Sequence, residues 1–195
     1  MGKLFFTILL FLLFTGCKQT TTPGWIDEKG LLNRSPNEWL SLGGNHLMQH
    51  YSPLNEINVN NVNELGYVWE YDAQSPIGRV HRGLEATPIV VDGIMYTSGA
   101  WGFVYALDAK TGKEIWSYQI GETYGPPGQR SLAYRPADGT MPATIFFGTT
   151  GGYLMALDAE TGTPSEGFGQ RGAVNMRTGM AEGFPEANYG LTSPP

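Results

Sequence analysis

Between Arg82 and Trp116 the chain alternates short β-branched, aromatic and aliphatic runs with turn-forming residues. Three such runs and the start of a fourth are broken at Asp92-Gly93, at Gly99 to Gly102 and at Thr111-Gly112. Asp-Gly between apolar runs is a strong hairpin signal, because both central residues of a tight two-residue turn take positive φ. The stretch therefore predicts one four-stranded antiparallel meander. Both of its faces are apolar, so it cannot bury itself alone and is expected to recur.

The recurrence is visible. Ala106-Leu-Asp-Ala-Lys-Thr-Gly returns as Ala156-Leu-Asp-Ala-Glu-Thr-Gly at a period of 50 residues. Ile94-Met-Tyr-Thr-Ser precedes the first copy, and Ile145-Phe-Phe-Gly-Thr-Thr the second. Half of an earlier unit shows at Leu65-Gly-Tyr-Val-Trp-Glu-Tyr, which is similar to Lys113-Glu-Ile-Trp-Ser-Tyr. Four-stranded units at this spacing predict an all-β fold, the blades of a β-propeller or a related stacked array. Trp69 and Trp116 are then expected to pack between neighbouring blades.

Composition adds limits. With 195 residues, 41% hydrophobic and 15% charged, the chain is ordinary globular material, and 27 glycines and 13 prolines suit a fold with many turns. A formal net charge of -6 offers no basic surface for a phosphate backbone, which argues against nucleic acid. No Gly-rich loop opens a helix, which argues against nucleotide held in a Rossmann or P-loop manner. His46, His50 and His81 do not stand at metal-ligand spacing, so a structural or surface role is expected and no metal ligand is assigned. No Cys-x-x-Cys-His is present to attach haem.

The N-terminus reads as a targeting segment. Lys3 supplies a positive charge before the apolar run Leu4 to Phe14, too short to span a bilayer but suited to a signal peptide. Phe14-Thr-Gly-Cys17 resembles a bacterial lipobox, with Cys17 as the lipid-modified residue; an ordinary secretory signal with an incidental cysteine is the alternative. Lys18 after the cysteine favours, by analogy, the outer membrane. Residues 1–17 are thus expected to be signal, 18–34 a polar tether, and 35–195 the propeller part. A short helix is expected to begin at Ser35-Pro-Asn-Glu, with Ser35 as N-cap and Pro36 in the first turn, and to end before Gly43-Gly44. A loop and helical turn lead from Tyr51 to a strand at Trp69. Gln74 to Val80 and Gly121 to Gln129 are expected to be loops.

Trp39-Leu-Ser-Leu-Gly-Gly, Tyr51-Ser-Pro-Leu, Ile57-Asn, Asn61-Val and Leu65 before Trp69, followed by the repeats, resemble the opening of a dehydrogenase dependent on pyrroloquinoline quinone (PQQ). The resemblance covers nearly all of Trp39 to Pro195 and implies about two blades of an eight-bladed propeller. Pro164 to Met180 is similar to what the glucose and quinate branch places after its second blade. Where the methanol and ethanol branch carries adjacent cysteines, this chain has Tyr124-Gly125, so Tyr124 or nearby backbone is expected to cover one face of the cofactor.

PQQ is a planar ortho-quinone with three carboxylates. By resemblance, Glu85 in Arg-Gly-Leu-Glu-Ala-Thr-Pro lies at the cofactor rim, Arg130 in Arg-Ser-Leu-Ala-Tyr-Arg-Pro pairs with a carboxylate, and Thr192 in Leu-Thr-Ser-Pro-Pro donates to another. A guanidinium suits such a partner because its planar fork makes two charge-assisted hydrogen bonds at once. The resemblance also implies Ca2+ ligands and a catalytic aspartate C-terminal to Pro195. The expected function is that of an N-terminal portion of a periplasmic, lipid-anchored enzyme. It would oxidise an alcohol or sugar and pass electrons to a quinone or cytochrome. The alternative is a non-enzymatic outer-membrane lipoprotein propeller that acts as an assembly scaffold.

Overall fold

The computed structural model describes residues 35–44, 47–73, 84–126, 130, 132–180, 183–184 and 186–195. The signal segment with Cys17, the tether, His46, His81 and the Gln74 to Val80 loop lie outside them. Eight strands form two antiparallel sheets. In the first, β1 (Ile89–Val91), β2 (Ile94–Ser98), β3 (Phe103–Asp108) and β4 (Glu114–Gln119) follow one another in order. The second repeats this with β5 (Ala133–Arg135), β6 (Thr144–Gly148), β7 (Tyr153–Asp158) and β8 (Ala173–Asn175).

Each expected turn closes as its residues dictate. Asp92 and Gly93 take φ of 49° and 79°, the two positive values that a tight hairpin between Val91 and Ile94 needs. After β3, the Asp108 carboxylate accepts hydrogen bonds from the backbone N–H groups of Lys110 and Thr111 and from the Thr111 hydroxyl. Asp158 does the same for Glu160 and Thr161 after β7, which is why Asp-Ala-x-Thr-Gly recurs.

The core lies between the sheets. Ile89, Val104 and Ala106 of the first sheet and Ile145, Phe147, Met155 and Leu157 of the second are 0% exposed. Burying such side chains contributes roughly 1.5–3 kcal/mol each before entropy is counted. The Tyr96 hydroxyl crosses the seam to the Ala159 carbonyl at 3.2 Å, and burial pushes its pKa up to about 12.

A register shift between Ala106 and Leu107 lets Ile115 bulge outward, 48% exposed, and turns Trp116 onto the face shared with Ala106. The Trp116 indole N–H then donates to the Ala159 carbonyl at 2.9 Å, and its ring lies on Gly162, where an added Cβ would sit 2.6 Å from it. Trp69 lies on Gly112 in the same way, 2.4 Å from a Cβ there. Both tryptophans therefore seat against the next repeat, as their spacing predicted.

Two expectations are corrected. Ser35 starts a single turn, not a helix: its Oγ accepts from the Asn37 N–H at 3.4 Å and its carbonyl from Glu38. Trp39 then exchanges both backbone hydrogen bonds with Val90 at 2.9 Å, extending the sheet beyond β1, and a residue so paired cannot continue a helix. The expected Trp69 strand is present only as extended chain without a paired strand among the described residues, after a 3-10 turn at Val62–Glu64. Another 3-10 turn, Glu122–Tyr124, interrupts the expected loop after β4.

Candidate functional site

Strand direction decides where the candidate residues fall. Glu85 precedes β1 and Arg130 precedes β5, and a backbone hydrogen bond from Thr87 to Arg130 holds the starts of the two strands at the same end. Strand β8 runs antiparallel to β7 and leaves its sheet at Asn175, opposite Tyr153, so the segment carrying Thr192 emerges at that end too. The three groups, far apart in sequence, come to one end of the molecule, and all three are exposed.

Backbone hydrogen bonds tie their loops together. The Thr87 N–H, two residues after Glu85, donates to the Arg130 carbonyl at 2.9 Å. On the other side, the turn between β6 and β7 holds both neighbouring loops: the Thr150 N–H donates to the Pro126 carbonyl and the Leu191 N–H donates to the Thr149 carbonyl, each at 2.9 Å. Thr192 follows directly. Gly152 accepts from the Met176 N–H at 2.9 Å, which folds the chain after β8 across the same turn.

The chemistry of this donor set fits a polycarboxylate. The one ion pair among the described residues joins Arg135 to Asp138, leaving the Arg130 guanidinium with its donors unspent on any described carboxylate. Thr192 adds a hydroxyl donor. Glu85 is a carboxylate, and beside a second carboxylate it requires a shared proton or an intervening donor. Among the described residues no three His, Cys, Asp or Glu side chains gather in a manner that could hold a metal ion. His50 is exposed.

Tyr124 does not stand over this end as a free ring. It is half-buried and meets Tyr153 edge-on, with centroids 5.1 Å apart and planes at 85°. The backbone at Gly125 (φ 72°) lies instead against Thr150 and Gly151. A cleft of about 720 Å³ opens at the opposite end, beside Thr140, Pro142, Asp158, Glu166 and Arg171. Its size does not make it the site, since none of the three candidate groups borders it.

Sequence reasoning missed the run Gly148-Thr-Thr-Gly-Gly152. Its signal was a cluster of glycines between two apolar runs, and its importance lies in contacts with distant loops.

Consecutive, stacked, four-stranded antiparallel sheets joined by tryptophans define a segment of a β-propeller. The chain belongs to the PQQ family described as glucose/ethanol/alcohol dehydrogenase, beta-propeller domain, which it matches over residues 39–195. It is 36% identical over 158 residues to the quinohemoprotein alcohol dehydrogenase ADH-IIG of Pseudomonas putida, covering 80% of this chain and 21% of that one. It is 40% identical over 134 residues to the dehydrogenase subunit of the alcohol dehydrogenase (quinone) of Gluconobacter oxydans, covering 65% and 16%. The crystal structure of the quinohemoprotein alcohol dehydrogenase from Comamonas testosteroni superposes with a TM-score of 0.63 at 32% identity, covering 82% and 22%. The chain thus spans about a fifth of the length of these relatives. They are alcohol dehydrogenases, and the preference for a glucose and quinate branch finds no support in them.

Proposed function

We propose that this chain is the N-terminal portion of a PQQ-dependent alcohol dehydrogenase and supplies one side of its cofactor site. The carrying observation is the convergence of Glu85, Arg130 and Thr192 on one end of the sheets through linked loops. The names of the relatives support an alcohol as substrate and a quinone or a cytochrome as acceptor.

In this reading Arg130 binds one cofactor carboxylate through its fork and Thr192 donates to another. Glu85 orients the rim through a bridging donor. When bound, PQQ supplies a two-electron oxidant; this chain's part is to hold and orient it. Ca2+ and the catalytic base belong to the longer protein. Residues 1–34 support export and an anchor at Cys17, placing the enzyme in the periplasm at the outer membrane. Among the described residues, no helix is long and apolar enough to cross a membrane. A scaffold role is not favoured beside relatives that are dehydrogenases.

The test is reconstitution of the full-length protein with PQQ and Ca2+. Reduction of an artificial dye with a primary alcohol is expected, and no PQQ uptake after dialysis would overturn the proposal. For the anchor, a labelled fatty acid should enter the wild type and not Cys17→Ser; equal labelling of both would remove Cys17 as the attachment point.

A further inference from the structure

The Thr150 N–H and the Thr149 carbonyl are the two polar groups of one peptide unit. The N–H donates to Pro126, four residues before Arg130, and the carbonyl accepts from Leu191, one residue before Thr192. A single peptide therefore joins the loop that carries the guanidinium to the loop that carries the hydroxyl. Thr149 beneath it is 0% exposed, and its Oγ accepts from the Tyr153 N–H at 3.1 Å, which fixes the turn to β7.

Glycines around this peptide leave no room for a side chain. A Cβ on Gly148 would stand 2.3 Å from Leu191 Cβ, one on Gly151 2.3 Å from the Tyr124 carbonyl oxygen, and one on Gly190 2.7 Å from the Thr150 carbonyl oxygen. Both loops approach the turn more closely than any other residue type allows. Contact this close on two sides is more than a β-hairpin turn needs for its own closure, since Gly93, in the first hairpin, has nothing within 4 Å.

We infer that the Thr149-Thr150 peptide, with Gly148, Gly151 and Gly190, is a positioning clamp that sets the spacing between Arg130 and Thr192. The inference rests on the proposed cofactor reading for its purpose, but the clamp itself is a matter of this chain's backbone. These residues act through Arg130 and Thr192 and touch no reacting atom. A displacement of about 1 Å in groups that bind a rigid planar ligand costs one to two orders of magnitude in productive binding.

Two measurements on the full-length protein test it. The first is hydrogen exchange of the apoprotein: Gly148→Ala should speed exchange of the Leu191 and Thr150 amides together, roughly tenfold or more, with Ile145 and Met155 unchanged. Release of Leu191 while Thr150 stays protected would overturn the clamp. The second is a PQQ titration: Gly148→Ala and Gly190→Ala should each weaken binding roughly tenfold, and Thr192→Val should add little on top of either. Unchanged affinity, or a fully additive loss, would overturn it.

Gly121→Ala is the control, because nothing lies within 4 Å of that position and its φ is -64°. Should Gly148→Ala fail to fold, Gly190→Ala, which meets the Thr150 carbonyl from the loop that carries Thr192, carries both measurements. If the wild type takes up no PQQ, the cofactor reading falls, and the exchange result alone decides the clamp.

Discussion

The Trp116 indole stands on Gly162 and donates to Ala159, two contacts that bind the outermost strand of one sheet to the β7–β8 turn of the next. Trp69 repeats the stacking on Gly112, so the joint is a property of the repeat. Trp116→Ala is expected to cost about 3–5 kcal/mol, from lost apolar contact and the cavity left behind. Trp116→Phe keeps a ring but removes one of the two hydrogen bonds on the Ala159 carbonyl, leaving the one from Tyr96, at about 1 kcal/mol. Urea unfolding of the full-length protein checks both, and equal losses for the two variants would show that the hydrogen bond, not the stacking, carries the joint.

Gly162 meets a second constraint besides the ring above it, a φ of 71°. Gly162→Ala should therefore cost more than Gly93→Ala, which has the same kind of φ but open space around it. The left-handed backbone alone accounts for about 1 kcal/mol in each. Thermal unfolding of the two variants side by side measures the difference, and equal losses would mean that the tryptophan yields easily.

The turn aspartates give a pH dependence. Hydrogen bonds from Thr111, hydroxyl first, hold the Asp108 carboxyl below its usual pKa of 3.8, and those from Thr140 and Met141 hold Asp138 well below it. A carboxylate with a lowered folded pKa stabilises the protein above its unfolded pKa, and that contribution is lost as pH falls through the folded value. Stability should thus be flat from neutral pH down to about 4 and then decline. Asp138→Asn should lower the neutral plateau and soften the acid limb; an unaltered acid limb would assign the decline to other groups.

How far the sequence could be read follows from the range of the interactions involved. The Asp92-Gly93 hairpin, the Asp108 and Asp158 turns and the period of 50 residues depend on neighbours in the chain, and all were legible. The Ser35 helix was misread because its local capping signals were intact, while the deciding interaction was the pairing of Trp39 with Val90, 51 positions away. The roles of Gly148 and Gly190 were not legible at all, because a glycine spaced for a distant loop looks the same as one placed for a turn. For Glu85, Arg130 and Thr192, order and motif nominated the residues as candidates, and only strand direction brought them to one end.

Arg130 is expected to bind cofactor without supporting the fold, since it is exposed and makes no ion pair with a described residue. Arg130→Ala in the full-length protein should raise the PQQ dissociation constant by roughly 10- to 100-fold, the loss of a charge-assisted pair, at a nearly unchanged melting temperature. Arg130→Lys should recover part of the affinity, because the charge remains and the fork does not. A parallel fall in stability would make Arg130 structural.

A crystal structure of the full-length protein soaked with PQQ tests the central claim most directly. The cofactor should lie at the end where β1 and β5 begin, with one carboxylate about 2.7–2.9 Å from the Arg130 guanidinium and another in reach of the Thr192 hydroxyl. PQQ at the opposite end of the sheets, or seated with Arg130 and Thr192 turned away from it, would contradict the account.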